Sequence, residues 1–566
     1  MIESDANFCR AHNAIDRTWR PISDRFLIRL TEGRPADRLP DLSEQQAARV
    51  ASEAQTALRD IETIDLDSLP HETALTVKIV QFHLNIEAQS SWRYDLAHNY
   101  GVFPAMFPIT PYGGGYFLSA ISRELNRFVI RQPADADHYL ALLEDYARLL
   151  RQMRSKLIEQ AARGIRIPRP ALPGVRALVA AQSTGAQGNL NACLKRLESS
   201  SVPSGFADVA ERRLQSSLIP AFAALLDTLD DDYARRSPEG VGIGQFSEGA
   251  SLYEALIAEH LSAPATIEAI HRIGQEHVAG LDAEMTVIRE SLGFADRDSF
   301  HRYLLTDPEW SAQTKERVEA WFSQTLRRIE PHIKEFFRFV PAAPYRTVPL
   351  DPKLEGSMTA GYYDPPTAAT PEGIYYFNGA NAAKSTLAEL ASLIYHELIP
   401  GHHFHIASQR ENKLLHPLRQ TLLFNAFNEG WAEYAATLAG EIGMYAHPCE
   451  RYGRLLKETF LASRLVVDTG LNVLGWSLDR ARQYLREHTL LSDVEIQSET
   501  LRYSTDIPAQ SLAYQYGKLK FLELRRHART TLGDRFDIRD FHDVVLGSGG
   551  MPLEILEWHV NSWLRS

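Results

Sequence analysis

The segment His396-Glu397-Leu398-Ile399-Pro400-Gly401-His402 constrains this chain more than any other. A histidine followed by glutamate and, four positions on, by a second histidine puts two imidazoles one helical turn apart, within reach of one metal. The glutamate between them then serves as a general base. Here the second histidine comes six positions after the first. On a straight helix, positions six apart are separated by about 9 Å along the axis and point to different faces. Two ligands at about 2.0–2.1 Å from one zinc ion cannot be so far displaced. Pro400 has no N–H, and its ring meets the carbonyl of the residue four back, which is His396, so a helix running through this point must bulge or break. Gly401 is expected to adopt backbone angles closed to other residues. The loosened turn would return His402 to the face used by His396.

A third ligand is available in Phe427-Asn428-Glu429-Gly430-Trp431-Ala432-Glu433-Tyr434-Ala435. Glu429 follows His402 by 27 residues, far enough for a second helix to come back alongside the first. A His₂Glu set leaves a fourth zinc position open for water, as catalysis requires. Glu433 lies one turn further and is a ligand, an acceptor orienting a histidine N–H, or a solvated helical glutamate. His403 and His405 are expected to support the site or the fold rather than bind metal, and Trp431 to be core. On its own, the spaced His-Glu-His pattern also fits a solvated helix end.

A capping box at Thr386 and Glu389 starts the helix that carries His396, with Leu387, Leu390, Ala391, Ile394 and Leu398 as its buried stripe. Just before it, Gly373–Asn378 (GIYYFN) is aromatic and β-branched between turn residues and predicts a strand. A strand in that position would hold an extended substrate through main-chain hydrogen bonds. Elsewhere helical periodicity dominates, as in Ala136–Glu159 and Thr266–Leu292. Proline and glycine clusters at 101–116, 163–175, 229–249 and 340–380 predict loops, including Tyr112-Gly113-Gly114-Gly115-Tyr116, which lacks the Gly-Lys-Ser/Thr that would hold phosphate. The expected fold is mainly α, a large helical body with a deep cleft and a small β-sheet beside the metal-bearing helix. A boundary near Leu229–Gly249 would separate an N-terminal helical subdomain, 1–240, from a metal-binding catalytic subdomain, 241–566.

Size and charge narrow the function. The 566 residues carry 44% hydrophobic and 23% charged side chains, ample for large cores. A net charge of -12 argues against nucleic acid or a polybasic membrane patch as partner. Cys9, Cys193 and Cys449 show no paired spacing, which excludes a cysteine zinc knuckle and disfavours a disulfide framework. The N-terminal residues lack the apolar core of a signal peptide, and no long uncharged apolar run occurs, so a cytoplasmic protein is expected.

These residues also resemble a known group. HELIPGHHFH followed by NEGWAEYA is similar to the HExxPGH and EGWAxY motifs of the bacterial DUF885 family. Arg464–Leu471 with Gly475-Trp476-Ser477, Pro508–Tyr514 with Gly517, and Phe536–Leu553 resemble further family blocks. Gly244–Tyr253 and Ile270–Gly274 also fit, so the likeness covers most of Gly240 to the C-terminus and, more weakly, the N-terminal half. Asn472 stands where the family usually has histidine, which puts in doubt any substrate contact there. The resemblance implies a cleft-bearing helical fold akin to the thermolysin-superfamily peptidases. Members have been classed provisionally as metallopeptidases, and many are uncharacterised. Carried over, His396, His402 and Glu429 would bind Zn2+, and Glu397 would take a proton from the bound water and pass it to the leaving amine. Tyr514 is the candidate donor to the oxyanion, with a core tyrosine as the alternative. Arg464 and Asp468, four apart on a helix, are expected to form an intrahelical ion pair.

The expected function is a zinc-dependent peptidase acting on short peptides in an enclosed cleft. The same ligands would serve a two-His-one-carboxylate iron oxygenase, but such an enzyme needs no base beside the first histidine. A non-catalytic, metal-stabilised protein would leave Glu397 without a role.

Overall fold

Periodicity of three and four residues becomes long helices, with one small sheet at the site. The computed structural model describes residues 2–90, 98–99, 104–197, 204–352, 361–367 and 370–566. In the N-terminal half the main helices are α1 (Ile2–Ser23), α2 (Glu44–Glu62), α3 (His71–Glu87), α4 (Gly113–Arg127), α5 (Pro133–Ala162) and α6 (Leu172–Leu194). Then come α7 (Ile267–Ser291), α8 (Lys315–Ile329) and three strands, β1 (Tyr345–Pro349), β2 (Gly361–Asp364) and β3 (Gly373–Phe377). The metal-motif region follows as α9 (Leu387–Glu397), α10 (His402–Glu411), α11 (Asn425–Glu441) and α12 (Pro448–Asn472), with α13 (Ala513–Leu532) and α14 (Leu553–Arg565) closing the chain. The body is mainly α, as expected, and both periodic segments, Ala136–Glu159 and Thr266–Leu292, lie on the helices α5 and α7.

α12 runs through the middle of the C-terminal half, and all its residues from Thr459 to Asn472 are buried. α7 and α9 pack along it, α8 and α11 pack on α9, and α13 lies against α11. α11 and α13 cross where glycine meets glycine: a Cβ on Gly430 would fall 2.5 Å from the Gly517 carbonyl carbon, and one on Gly517 would fall 2.2 Å from Ala426 O. Only two glycines allow that approach. α14 packs on α13 and also reaches α3 of the N-terminal half. One hydrophobic cluster takes side chains from Ala11 to Val560. Cys9, Cys193 and Cys449 are all free. Among the described residues, no helix is long and apolar enough to cross a membrane.

Several expected loops hold structure. The glycine-rich Tyr112–Tyr116 segment heads α4 rather than forming a loop. Its orphan N–H groups are taken from far along the chain: Tyr112 and Gly113 both donate to Asp506 Oδ1 at 3.0 Å. That tertiary cap adds to a local one, the Thr110 hydroxyl accepting from the Gly114 N–H at 3.3 Å. Within 163–175, α6 already begins at Leu172, and within 229–249 a short helix spans Asp231–Arg236. Part of the fourth expected loop, and residues 101–103 of the first, lie outside the described residues.

The strand expected at Gly373–Asn378 is β3, the middle of the order β1-β3-β2. β1 pairs with it in parallel, Tyr345 opposite Gly373, and β2 antiparallel, Tyr363 opposite Tyr375. Its main-chain groups are therefore committed on both sides. An extended peptide would have to pair with an edge strand instead, which corrects the expectation placed on β3.

Candidate metal centre

α9 starts where Thr386 caps it, its hydroxyl accepting from the Ala388 N–H at 3.3 Å, one residue earlier than a capping box would place that bond. Leu387, Leu390, Ala391 and Ile394 are buried as the stripe requires. The helix ends at Glu397, the Ile399–Pro400 bond is cis, and α10 begins afresh at His402. The helix thus breaks rather than bulges. Gly401 has a φ of -81° and needs no left-handed backbone. A Cβ there would stand 1.9 Å from the His396 carbonyl oxygen, so glycine is required for close approach. Trp431 is fully buried and its indole N–H donates to Pro400 O at 2.9 Å, pinning the break from α11.

The result brings together the three residues expected to converge. The ligand atoms of His396, His402 and Glu429 all lie within 4.8 Å of one another. His396 Nε2 is 3.5 Å and His402 Nε2 3.4 Å from Glu429 Oε2. Two ligands at about 2.0–2.1 Å from a tetrahedral zinc ion would stand about 3.3–3.4 Å apart. Glu429 Oε2 is buried and has no hydrogen-bond partner of ordinary geometry among the described residues. Donor type, spacing and an oxygen short of partners all fit zinc.

The other side of His396 is fixed. Its Nδ1 meets Glu433 Oε1 at 2.8 Å, off the line of a straight hydrogen bond. Glu433 is fully buried, which excludes the solvated reading, and its other oxygen accepts from Arg454 Nη1 at 2.7 Å. Arg454 also donates to Ser392 Oγ at 3.1 Å. Sequence reasoning missed Arg454, because it is one of several charged residues on α12 and nothing in their spacing marks it out. Burial opposes charge on His396, but the Glu429 and Glu433 carboxylates outweigh it and hold the imidazole up at about 10. Burial would likewise raise Glu433, yet Arg454 and His396 keep it well below the usual carboxylate range, and His402 and His396 do the same for Glu429.

Glu397 lies beside these ligands with no hydrogen bond or ion pair to any described residue. Burial pushes its carboxyl up, partly offset by His396 and His402. Tyr514 is half-buried, its ring stacked on His396 with centroids 6.1 Å apart. It therefore stands at the ligands, not in a distant core, and burial followed by Glu429 pushes its hydroxyl up to about 12. His403 turns away: its ring nitrogens pair with Tyr363 Oη at 2.9 Å and Ala343 O at 3.0 Å, fastening α10 to β2 and the segment before β1. His405 is buried 5.9 Å from His402, ring to ring, outside the converging set.

Two expectations around α12 need correction. Arg464 and Asp468 do not pair. Arg464 Nη2 donates to Glu499 Oε2 at 3.0 Å and Nε to Tyr503 Oη at 2.8 Å. Asp468 accepts instead from neutral donors: Tyr253 and Ser511 hydroxyls at 2.7 Å, Asn472 Nδ2 at 3.0 Å and Ala509 N–H at 3.1 Å. Helical spacing allowed the pair, but tertiary partners closer to ideal geometry took both members. Asn472, buried, also donates to Tyr503 O at 2.9 Å and accepts from Ile243 N–H at 3.1 Å, so its polar groups are taken up by the framework.

The same fold occurs in solved structures. One described as "the putative lipoprotein from Colwellia psychrerythraea" superposes with a TM-score of 0.86 at 22% identity, covering 99% of each chain. Another, "a putative lipoprotein of unknown function from Shewanella oneidensis", gives 0.74 at 16% identity over 97% of this chain and 99% of that one. At such identities the likeness speaks for fold alone. No curated protein matches. Residues 28–560 match the family model of DUF885, described as a bacterial protein of unknown function, and the chain belongs to that family.

Proposed function

We propose that this chain is a zinc-dependent metallopeptidase that hydrolyses short peptides. The observation that carries the reading is the convergence of His396, His402 and Glu429 next to a carboxylate, Glu397, that has no hydrogen bond or ion pair to any described residue. His396, His402 and Glu429 would hold the ion and leave one position open. Zinc, when bound there, polarises a carbonyl and brings the pKa of a bound water towards neutrality. Glu397 takes the proton from the attacking water and passes it to the leaving amine. Its burial suits the first of those steps, since a carboxylate whose pKa is raised from the usual range is a stronger base and takes the water proton more readily. The Tyr514 hydroxyl donates to the oxygen that gains negative charge. Glu433, backed by Arg454, holds the His396 ring so that Nε2 faces the ligand cluster.

Metal analysis combined with Glu397→Gln tests this. About one zinc per chain is expected in both proteins, with peptide hydrolysis lost in the variant by at least about 10²-fold. Iron as the resident metal, or undiminished hydrolysis by the variant, overturns the reading.

A further inference from the structure

Beyond Tyr514 the wall of the site holds two guanidinium groups that share one carboxylate. Arg464, on α12, and Arg502, in the turn Arg502–Asp506, both reach Glu499, at 3.0 Å and 3.4 Å. Arg464 donates from Nη2 to Glu499 and from Nε to Tyr503, and its guanidinium carbon lies 4.3 Å from the Phe460 ring centre and 4.7 Å from that of Tyr514. Arg502 is less well matched. Its Nη2 donates to Gln510 Oε1 at 2.6 Å and its contact with Glu499 is long. Its Nε is buried with no acceptor among the described residues. The carboxylate in its own turn, Asp506, is occupied by the N–H groups of Tyr112 and Gly113 at the head of α4. A buried cation short of acceptors costs free energy unless an anion completes it.

The location gives that deficit a meaning. Tyr514 stacks on His396 on one side and on Arg464 on the other. Arg502 lies on the same wall and carries the Tyr112 ring over it at 5.0 Å. Tyr112 is 38% exposed and the Arg502 side chain 11%, so this guanidinium lies just below the surface, close enough to bear on the Tyr514 hydroxyl. A planar guanidinium with free N–H groups matches a carboxylate, which it can take in bidentate fashion.

We propose that Arg502, braced by Glu499 and Arg464, binds the C-terminal carboxylate of the substrate, so that the substrates are short peptides with a free C-terminus. This rests on the metallopeptidase reading. Tyr514, between Arg502 and the ligands, then faces the peptide bond near that terminus. Arg464 and Glu499 are positioning residues, and Arg502 is the specificity-determining one.

Calorimetry on the zinc-loaded Glu397→Gln protein tests the proposal without turnover. Tri-alanine should bind at least about tenfold more tightly than tri-alanine amide, the scale of one charged hydrogen-bonded contact. Adding Arg502→Gln should bring tri-alanine to the level of the amide and leave the amide unchanged. Arg502→Lys should recover part of the preference, and zinc content of the variants checks that the site is intact. Equal binding of the two peptides, no binding of either, or a parallel loss of both in Arg502→Gln overturns the proposal. So does a tri-alanine amide analogue ending in glutamate that binds as tightly as tri-alanine, because a side-chain carboxylate would then be the group recognised. Hydrolysis by the wild-type protein is read separately. A carboxylate preference in binding with no cleavage of either peptide would sink the peptidase reading and leave the Arg502 assignment standing.

Discussion

His396 has carboxylates on both ring nitrogens, Glu433 at Nδ1 and Glu429 at Nε2. Those carboxylates hold the imidazole up at about 10, so an ion taken at Nε2 would displace a proton from this ring. Glu433 is the half of that arrangement that stays when an ion is bound. Glu433→Gln should weaken zinc affinity by about 10–100-fold, measured by chelator competition, because the residue orienting a ligand histidine loses its charge. An unchanged affinity would mean that the Nδ1 contact does not serve the site. The convergence of His396, His402 and Glu429 was legible from types and spacing. Glu433 was ambiguous in sequence, since spacing shows that it shares a helix with Glu429 but not that Arg454 from another helix buries it.

At the level of elements, the junction between α9 and α10 decides whether the two histidines share a face. Pro400 announces a break in the sequence, and the break occurs. What sequence could not show is why glycine follows it: the restriction comes from the His396 carbonyl 1.9 Å from where a Cβ would sit, not from unusual φ. Gly401→Ala should push α10 away from α9. The expected result is zinc well below one per chain with a stability loss of about 1–3 kcal/mol or more, followed by metal analysis and thermal unfolding. Full zinc occupancy at unchanged melting temperature would contradict this account of the junction. The head of α4 teaches the converse. Three glycines read locally as a loop, and a carboxylate 393 residues away, with the Thr110 hydroxyl, turns them into a helix start.

Across the whole molecule, Asp468 joins helix Gly249–Leu261, through Tyr253, to Ala509 and Ser511 near the head of α13. Burial pushes its carboxyl up to about 6, against the pull of those donors. The folded state therefore keeps a proton that the unfolded chain releases near pH 3.9. Stability from this group is complete below that pH and is lost as pH rises through about 6. Relative to wild type, Asp468→Asn should gain about 2 kcal/mol of unfolding free energy between pH 4.5 and 7, by urea titration at each pH. A constant difference between the two proteins would show that Asp468 does not titrate in this range.

The sequence by itself determined the helical class and the His-Glu-Pro-Gly-His break, because each depends on residue types at short, regular spacing, and the two motifs named the three residues that converge. Pairings across the fold were decided only by tertiary structure: Glu499 taking Arg464, Asp506 heading α4, β1 and β2 covering both edges of β3, and Arg502 left short of an acceptor. The reason is physical. A hydrogen bond or ion pair forms with whichever partner packing brings to the right distance and angle, and for these groups that partner lies tens to hundreds of residues away.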